Sequence, residues 1–140
     1  MFQMRCYAHA CVFLFVMATG VAQNGDHSKA FVGKWLSADN KAVFDAGVCP
    51  QGLCASVVGL KPGKLNDSCG IQLIVLNSWN ANKNRWEGKV LDPGSKRLYT
   101  AFLESGRDGA PMLKAKWGFL SFNEQWSKFS GSLGQKCEFR

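Results

Sequence analysis

The chain has 140 residues, 46% hydrophobic and 19% charged, with ten Phe, five Trp, two Tyr, 15 Gly, six Cys and two His. That balance excludes a disordered polymer, and so many aromatics and glycines point to a turn-rich β protein rather than a helical bundle. Seventeen Lys and Arg against ten Asp and Glu give a net charge of +7, and so few histidines exclude most His-dependent catalysis and most His-built metal sites.

Residues 1–22 read as a signal peptide. Arg5 is the one charge, and an apolar run from Ala8 to Met17, interrupted by His9, leads to the small residues Gly20 and Ala22. Small residues at −3 and −1 suit signal peptidase, so cleavage is expected after Ala22, with Gly20 as the alternative. The run is too short to cross about 30 Å of hydrocarbon, and no later stretch is longer. No Cys sits just after the small residues, which argues against lipid attachment. The mature chain is therefore expected to be periplasmic or secreted, monomeric and without an integral membrane segment. Residues 23–29 read as a flexible polar stretch, and residues 30–140 as one domain.

Cys6 and Cys11 leave with the leader, so Cys49, Cys54, Cys69 and Cys137 remain. An even number of thiols in an oxidising compartment reads as disulfides, with three possible pairings. Pro50 and Gly52 between the first two cysteines make a turn that brings their Cβ atoms into range. Cys49–Cys54 with Cys69–Cys137 is therefore favoured. A four-thiolate zinc site is the poorer alternative, because neither pair has C-x-x-C spacing.

Eight strands are predicted in chain order: Phe31–Leu36, Ala42–Ala46, Cys54–Leu60, Ile71–Trp79, Arg85–Leu91, Lys96–Glu104, Met112–Trp117 and Glu124–Phe129. Turn chemistry such as Asp92-Pro93-Gly94-Ser95 separates them. No helical stripe of useful length occurs, although Ile71–Leu76 taken alone fits either state. Period-two alternation is clearest in Arg85–Val90, where charges take one face and Trp86, Gly88 and Val90 the other, and in Leu113–Trp117, where Lys114 and Lys116 alternate with apolar residues. That is how a sheet with one wet and one buried face is written. The reading is an all-β, eight-stranded antiparallel up-and-down barrel, whose interior holds packed side chains or one small ligand.

Gly33-Lys34-Trp35 at the first strand is the G-x-W signature of lipocalin-like barrels. With Cys49-x4-Cys54, Trp86-x-Gly88-x-x-x-Asp92-Pro93 and a late Gln125-Trp126-Ser127-Lys128, the chain resembles a family of small exported bacterial domains of unknown function with a lipocalin-like fold. The likeness covers about Phe31 to Phe129. It departs from the family in the added Cys69 and Cys137, in the Cys/Phe/Arg tail, and in Lys128, where the family tends to have Arg. The resemblance implies a barrel whose closed end Trp35 plugs while Gly33 lets the chain pass close by, with Trp126 also structural. It implies ligand binding only by analogy with other such barrels.

The sequence nominates no reaction and no cofactor. Ten acids are scattered through turns and outward strand positions; Asp45, which breaks an apolar strand, is the one expected to turn inward, and it has no acid/base partner. Nucleophile-elbow, zincin and P-loop motifs are missing. Without the leader, sixteen basic side chains face ten acidic ones. The basic residues are spread over several strands, so nucleic acid is not expected as a partner. Trp86, Val90, Phe102, Leu113 and Trp117 are expected to face inward and line a pocket for a small hydrophobic or amphiphilic ligand. The alternative is an envelope interaction module whose basic outer surface, including Lys114 and Lys116, binds an anionic polymer, lipid head groups or a protein. A cation–π contact between Lys128 and an indole is a further expectation.

Overall fold

A computed structural model describes residues 27–62 and 68–140; the signal-peptide reading of residues 1–22 lies outside them. Among the described residues nine strands form: β1 (Gly33–Leu36), β2 (Ala42–Cys49), β3 (Gly52–Leu60), β4 (Gln72–Asn80), β5 (Arg85–Asp92), β6 (Arg97–Ser105), β7 (Pro111–Trp117), β8 (Leu120–Gln125) and β9 (Ser127–Lys128). They make one antiparallel sheet in the order β8-β7-β6-β5-β4-β3-β2-β1-β9. The two edge strands are separated in sequence by Trp126 alone, so the ribbon curls into a nearly closed barrel, lipocalin-like in outline. Closure rests on two rungs, Trp35 opposite Lys128 and Leu36 opposite Ser127.

The last predicted strand, Glu124–Phe129, is thus two strands, and β8 begins earlier than expected. Gly118, at φ 58°, turns the chain tightly back into β8. The break at Trp126 comes from Gln125. Its Nε2 donates to the carbonyls of Ala110, Pro111 and Trp126, and its Oε1 accepts from the amide of Arg107. The Trp126 amide donates to Pro111 at 2.9 Å. Tied to the β6–β7 turn in this way, the chain leaves β7 and passes to β1.

Register stacks the inward residues in layers. Trp86 faces Leu103 and Leu103 faces Leu113; Gly88 faces Ala101 and Ala101 faces Ala115; Val90 faces Tyr99, whose ring lies 5.8 Å from that of Trp117. Gly88 has no room for a side chain, since a Cβ there would sit 2.1 Å from the Val75 carbonyl oxygen and 2.6 Å from the Leu76 Cα. This close approach adjoins the β-bulge between Leu76 and Ser78.

Two residues expected inside face outward. Phe102 pairs with Glu87 and Lys114 and shares their face; it is buried by the Arg85 guanidinium, 3.7 Å from its ring centroid, and by Lys116. Asp45 lies opposite Lys34 and forms a 3.5 Å ion pair with it on the wet face. Lys128 lies opposite Trp35, but the cation–π contacts among the described residues are those of Arg85 and Lys116 on Phe102.

The closed end is plugged from the N-terminal side. Trp86 is buried, donates its indole N–H to the His27 carbonyl at 3.3 Å, and meets Trp79 edge-on. His27 stacks on Trp79 with ring centroids 4.4 Å apart. Trp35, partly buried, donates to the Phe31 carbonyl at 2.8 Å, and Phe31 belongs to the core. His27, in the stretch read as flexible, takes part in this plug.

Both disulfides form. Cys49–Cys54 spans the β2–β3 turn with Cα atoms 5.8 Å apart, and Cys69–Cys137 ties the β3–β4 connection to the C-terminal tail with Cα atoms 5.9 Å apart. The tail then packs beside β3. Glu138 bridges to Leu60, Phe139 meets Phe129 edge-on at 5.7 Å, and a Cβ on Gly59 would lie 3.0 Å from both Leu133 and Phe139.

Candidate functional site

At the end opposite the plug, the barrel holds a cavity of about 730 Å³ that opens to solvent. Its walls come from Ile74 of β4, Val90 of β5, Tyr99 of β6 and Leu113, Ala115 and Trp117 of β7. Across the unpaired edge of β8 the lining continues with Leu120, Phe122 and Glu124; Phe44 of β2 adds to it, and Asp92, Lys116 and Ser121 bring polar groups to the wall. The unpaired edge leaves the cavity open: Trp117, Leu120 and Phe122 are 58%, 53% and 55% exposed although their register places them on the inner face. A space of this size lined by apolar side chains is in the range that takes one small molecule.

Of the five residues singled out in the sequence, Val90, Leu113 and Trp117 line this cavity. Trp86 lies in the packed plug below it, and Phe102 is on the outside of the barrel. Sequence reasoning missed Phe44, Tyr99 and the β8 residues. A signal for β8 was present, since Leu120, Phe122 and Glu124 alternate with Ser121 and Asn123 and so place a carboxylate in an apolar series.

Glu124 is the ionisable group that this alternation places inside. It lies opposite Leu113, and its Oε1 accepts the amide of Ala38 at 3.0 Å. Burial pushes its carboxyl above the usual carboxylate range. The Ala38 amide and then the Trp126 side chain oppose that shift, and the nearby charge of Asp39 adds to it. The Trp126 indole N–H is itself buried without a well-directed acceptor among the described residues. Asp39 differs: the Ser37 hydroxyl and the Lys41 amide and ammonium hold its carboxyl down against slight burial.

The sign of the Glu124 shift yields a prediction. Its folded pKa lies above the unfolded value, so the charged form opposes folding at neutral pH, and this penalty vanishes as pH falls through the folded pKa toward 4.5. Glu124→Gln keeps an oxygen for the Ala38 amide and removes the charge. It is expected to be more stable than the parent at pH 7, with the difference disappearing toward pH 4, as read by urea unfolding across that range. A variant equally stable at both ends would show that this carboxyl is not desolvated.

The four described cysteines are engaged in the disulfides, and no group of three or more His, Cys, Asp or Glu able to hold a metal ion occurs among the described residues. No helix among them is long and apolar enough to cross a membrane. No family model, no curated protein and no solved structure matches the chain.

Proposed function

We propose that this is an exported protein that binds one small hydrophobic or amphiphilic molecule inside its barrel. The observation that carries the reading is the cavity of about 730 Å³, walled mainly by aliphatic and aromatic side chains with a few charged groups such as Glu124 and Lys116, and open beside β8. The two disulfides support export, because such bonds persist in oxidising compartments. An amphiphile would lay its apolar body along Val90, Tyr99 and Trp117 and leave its polar group near the opening. The rival reading, a basic outer face acting as the binding surface, has less support. There Lys34 is paired with Asp45, Lys114 with Glu104 and Arg85 with Glu87.

Tryptophan fluorescence titrated with oleate and with a retinoid tests the proposal, together with native mass spectrometry of protein purified from its own host. Saturable one-to-one binding is expected. Ala115→Trp, which fills the middle layer of the cavity, should weaken it by at least about tenfold, the loss expected when a well-buried ligand's apolar contacts are displaced. Bare polypeptide from the host with no response to either probe overturns the proposal, as does binding that Ala115→Trp leaves unchanged.

A further inference from the structure

We propose that the open end of the barrel docks on an anionic lipid bilayer, with the β7–β8 hairpin entering the headgroup region. At the tip of this hairpin Phe119 is 97% exposed, and it is not part of the cavity wall. Neither packing nor ligand enclosure accounts for it. Trp117 and Leu120 flank it, each more than half exposed, and Leu98 on neighbouring β6 is 64% exposed. Exposed apolar side chains gathered at one hairpin tip mark a contact surface.

Charge decides which surface. The ring contact between Tyr99 and Trp117 places the β5–β6 hairpin directly beside the β7–β8 hairpin. Lys96 and Arg97 at its tip are exposed, as is Lys116 at the end of β7. Asp92, the acid at the end of β5, keeps its negative charge through hydrogen bonds from the Ser95 hydroxyl and the Gly94 amide, and Lys96, Arg97 and Lys116 outnumber it three to one. In the β1–β2 turn, Asp39 and Lys41 pair with each other at 3.5 Å. The result is an aromatic tip flanked by cations. Aromatic rings prefer the membrane interface, and lysine and arginine are drawn to anionic head groups. A second copy would bring the same cations together, so self-association through this tip is disfavoured.

Co-sedimentation with vesicles of phosphatidylglycerol and phosphatidylcholine, against pure phosphatidylcholine, tests the inference. The parent is expected to bind the anionic vesicles, and to lose most of that binding in about 0.5 M salt, where exposed charges are screened. Phe119→Ser and the double variant Lys96→Glu/Arg97→Glu should each bind at least about tenfold more weakly. These side chains are exposed, so the variants should keep the parent's circular dichroism. Phe119 is outside the cavity wall, so Phe119→Ser should still bind oleate; vesicle binding and cavity binding therefore fail separately. Absence of vesicle binding overturns the inference, as does binding unaffected by Phe119→Ser. A parent dimer that Phe119→Ser dissociates would also overturn it, assigning the tip to self-association.

Discussion

Replacing Cys69 and Cys137 together by alanine is expected to lower the unfolding free energy by about 4 kcal/mol, on the chain-entropy account of cross-links, and the midpoint temperature by more than about 10 °C. The bridge closes a span of 68 residues, whereas Cys49–Cys54 closes a span of five. The same account gives about 2 kcal/mol for the shorter bridge, so the two double variants should be clearly ordered. Alanine is the right replacement because Cys137 is 8% exposed, and a serine hydroxyl there would add its own burial penalty. The bridge also has a specific native role. It holds the C-terminal tail against β3, where Glu138 reaches Leu60 and Phe139 covers Gly59, and it is the cross-link that ties this tail to the barrel among the described residues. Its loss should therefore expose Val43, now fully buried beneath the tail side of Gly59. Urea unfolding of both double variants, with hydrogen exchange on β2 and β3, measures the two effects. Equal stability of the two variants would mean that loop length does not govern their contribution.

The same tail shows where a reading of the sequence stops. The strands themselves were legible wherever one face is wet. In Arg85–Val90 and Leu113–Trp117, charge and apolarity alternate, and β5 and β7 face as that alternation dictates. β6 was ambiguous, because Leu98, Phe102 and Leu103 put apolar groups on both faces. Only the long-range pairing of Phe102 with Glu87 and Lys114, and the cover provided by Arg85, settle which way it points. The cysteine pairing was favoured by a local turn, Pro50 to Gly52, and local turn geometry is what sequence conveys best. The plug at His27 and the break at Trp126 depend instead on contacts across 59 residues, from Trp86 to the His27 carbonyl, and across 18, from Gln125 to Arg107. Neither leaves a periodic mark. Of the candidate site, the β5 and β7 walls were therefore readable from alternation. The opening beside β8 was not, because it is created by a strand that exchanges partners.

That exchange of partners makes Trp126 the residue whose truncation should be most damaging to the barrel. It is 1% exposed within the core cluster, its ring stacks on Phe44 of β2 at 4.9 Å, and its backbone is the joint between β8 and β9. Trp126→Ala should cost about 3–5 kcal/mol, the usual range for emptying a large aromatic site. Trp126→Phe should cost far less, under about 1.5 kcal/mol, as for a core substitution that keeps most of the packing. Phenylalanine retains the stack on Phe44, so most of the ring's packing survives. The alanine variant should also fail unevenly. Closure depends on the two rungs between β1 and β9 and on the Phe129 amide donating to Lys34 at 3.0 Å. Those amides should exchange with solvent well before the amides of β5 and β6, whose eight-rung pairing does not involve the joint. Urea unfolding of both variants and native-state hydrogen exchange of the alanine variant measure this. If alanine and phenylalanine prove equally costly, the indole N–H has an acceptor that the packing argument omits. If the β1–β9 amides remain as protected as those of β5 and β6, Trp126 does not hold the barrel shut.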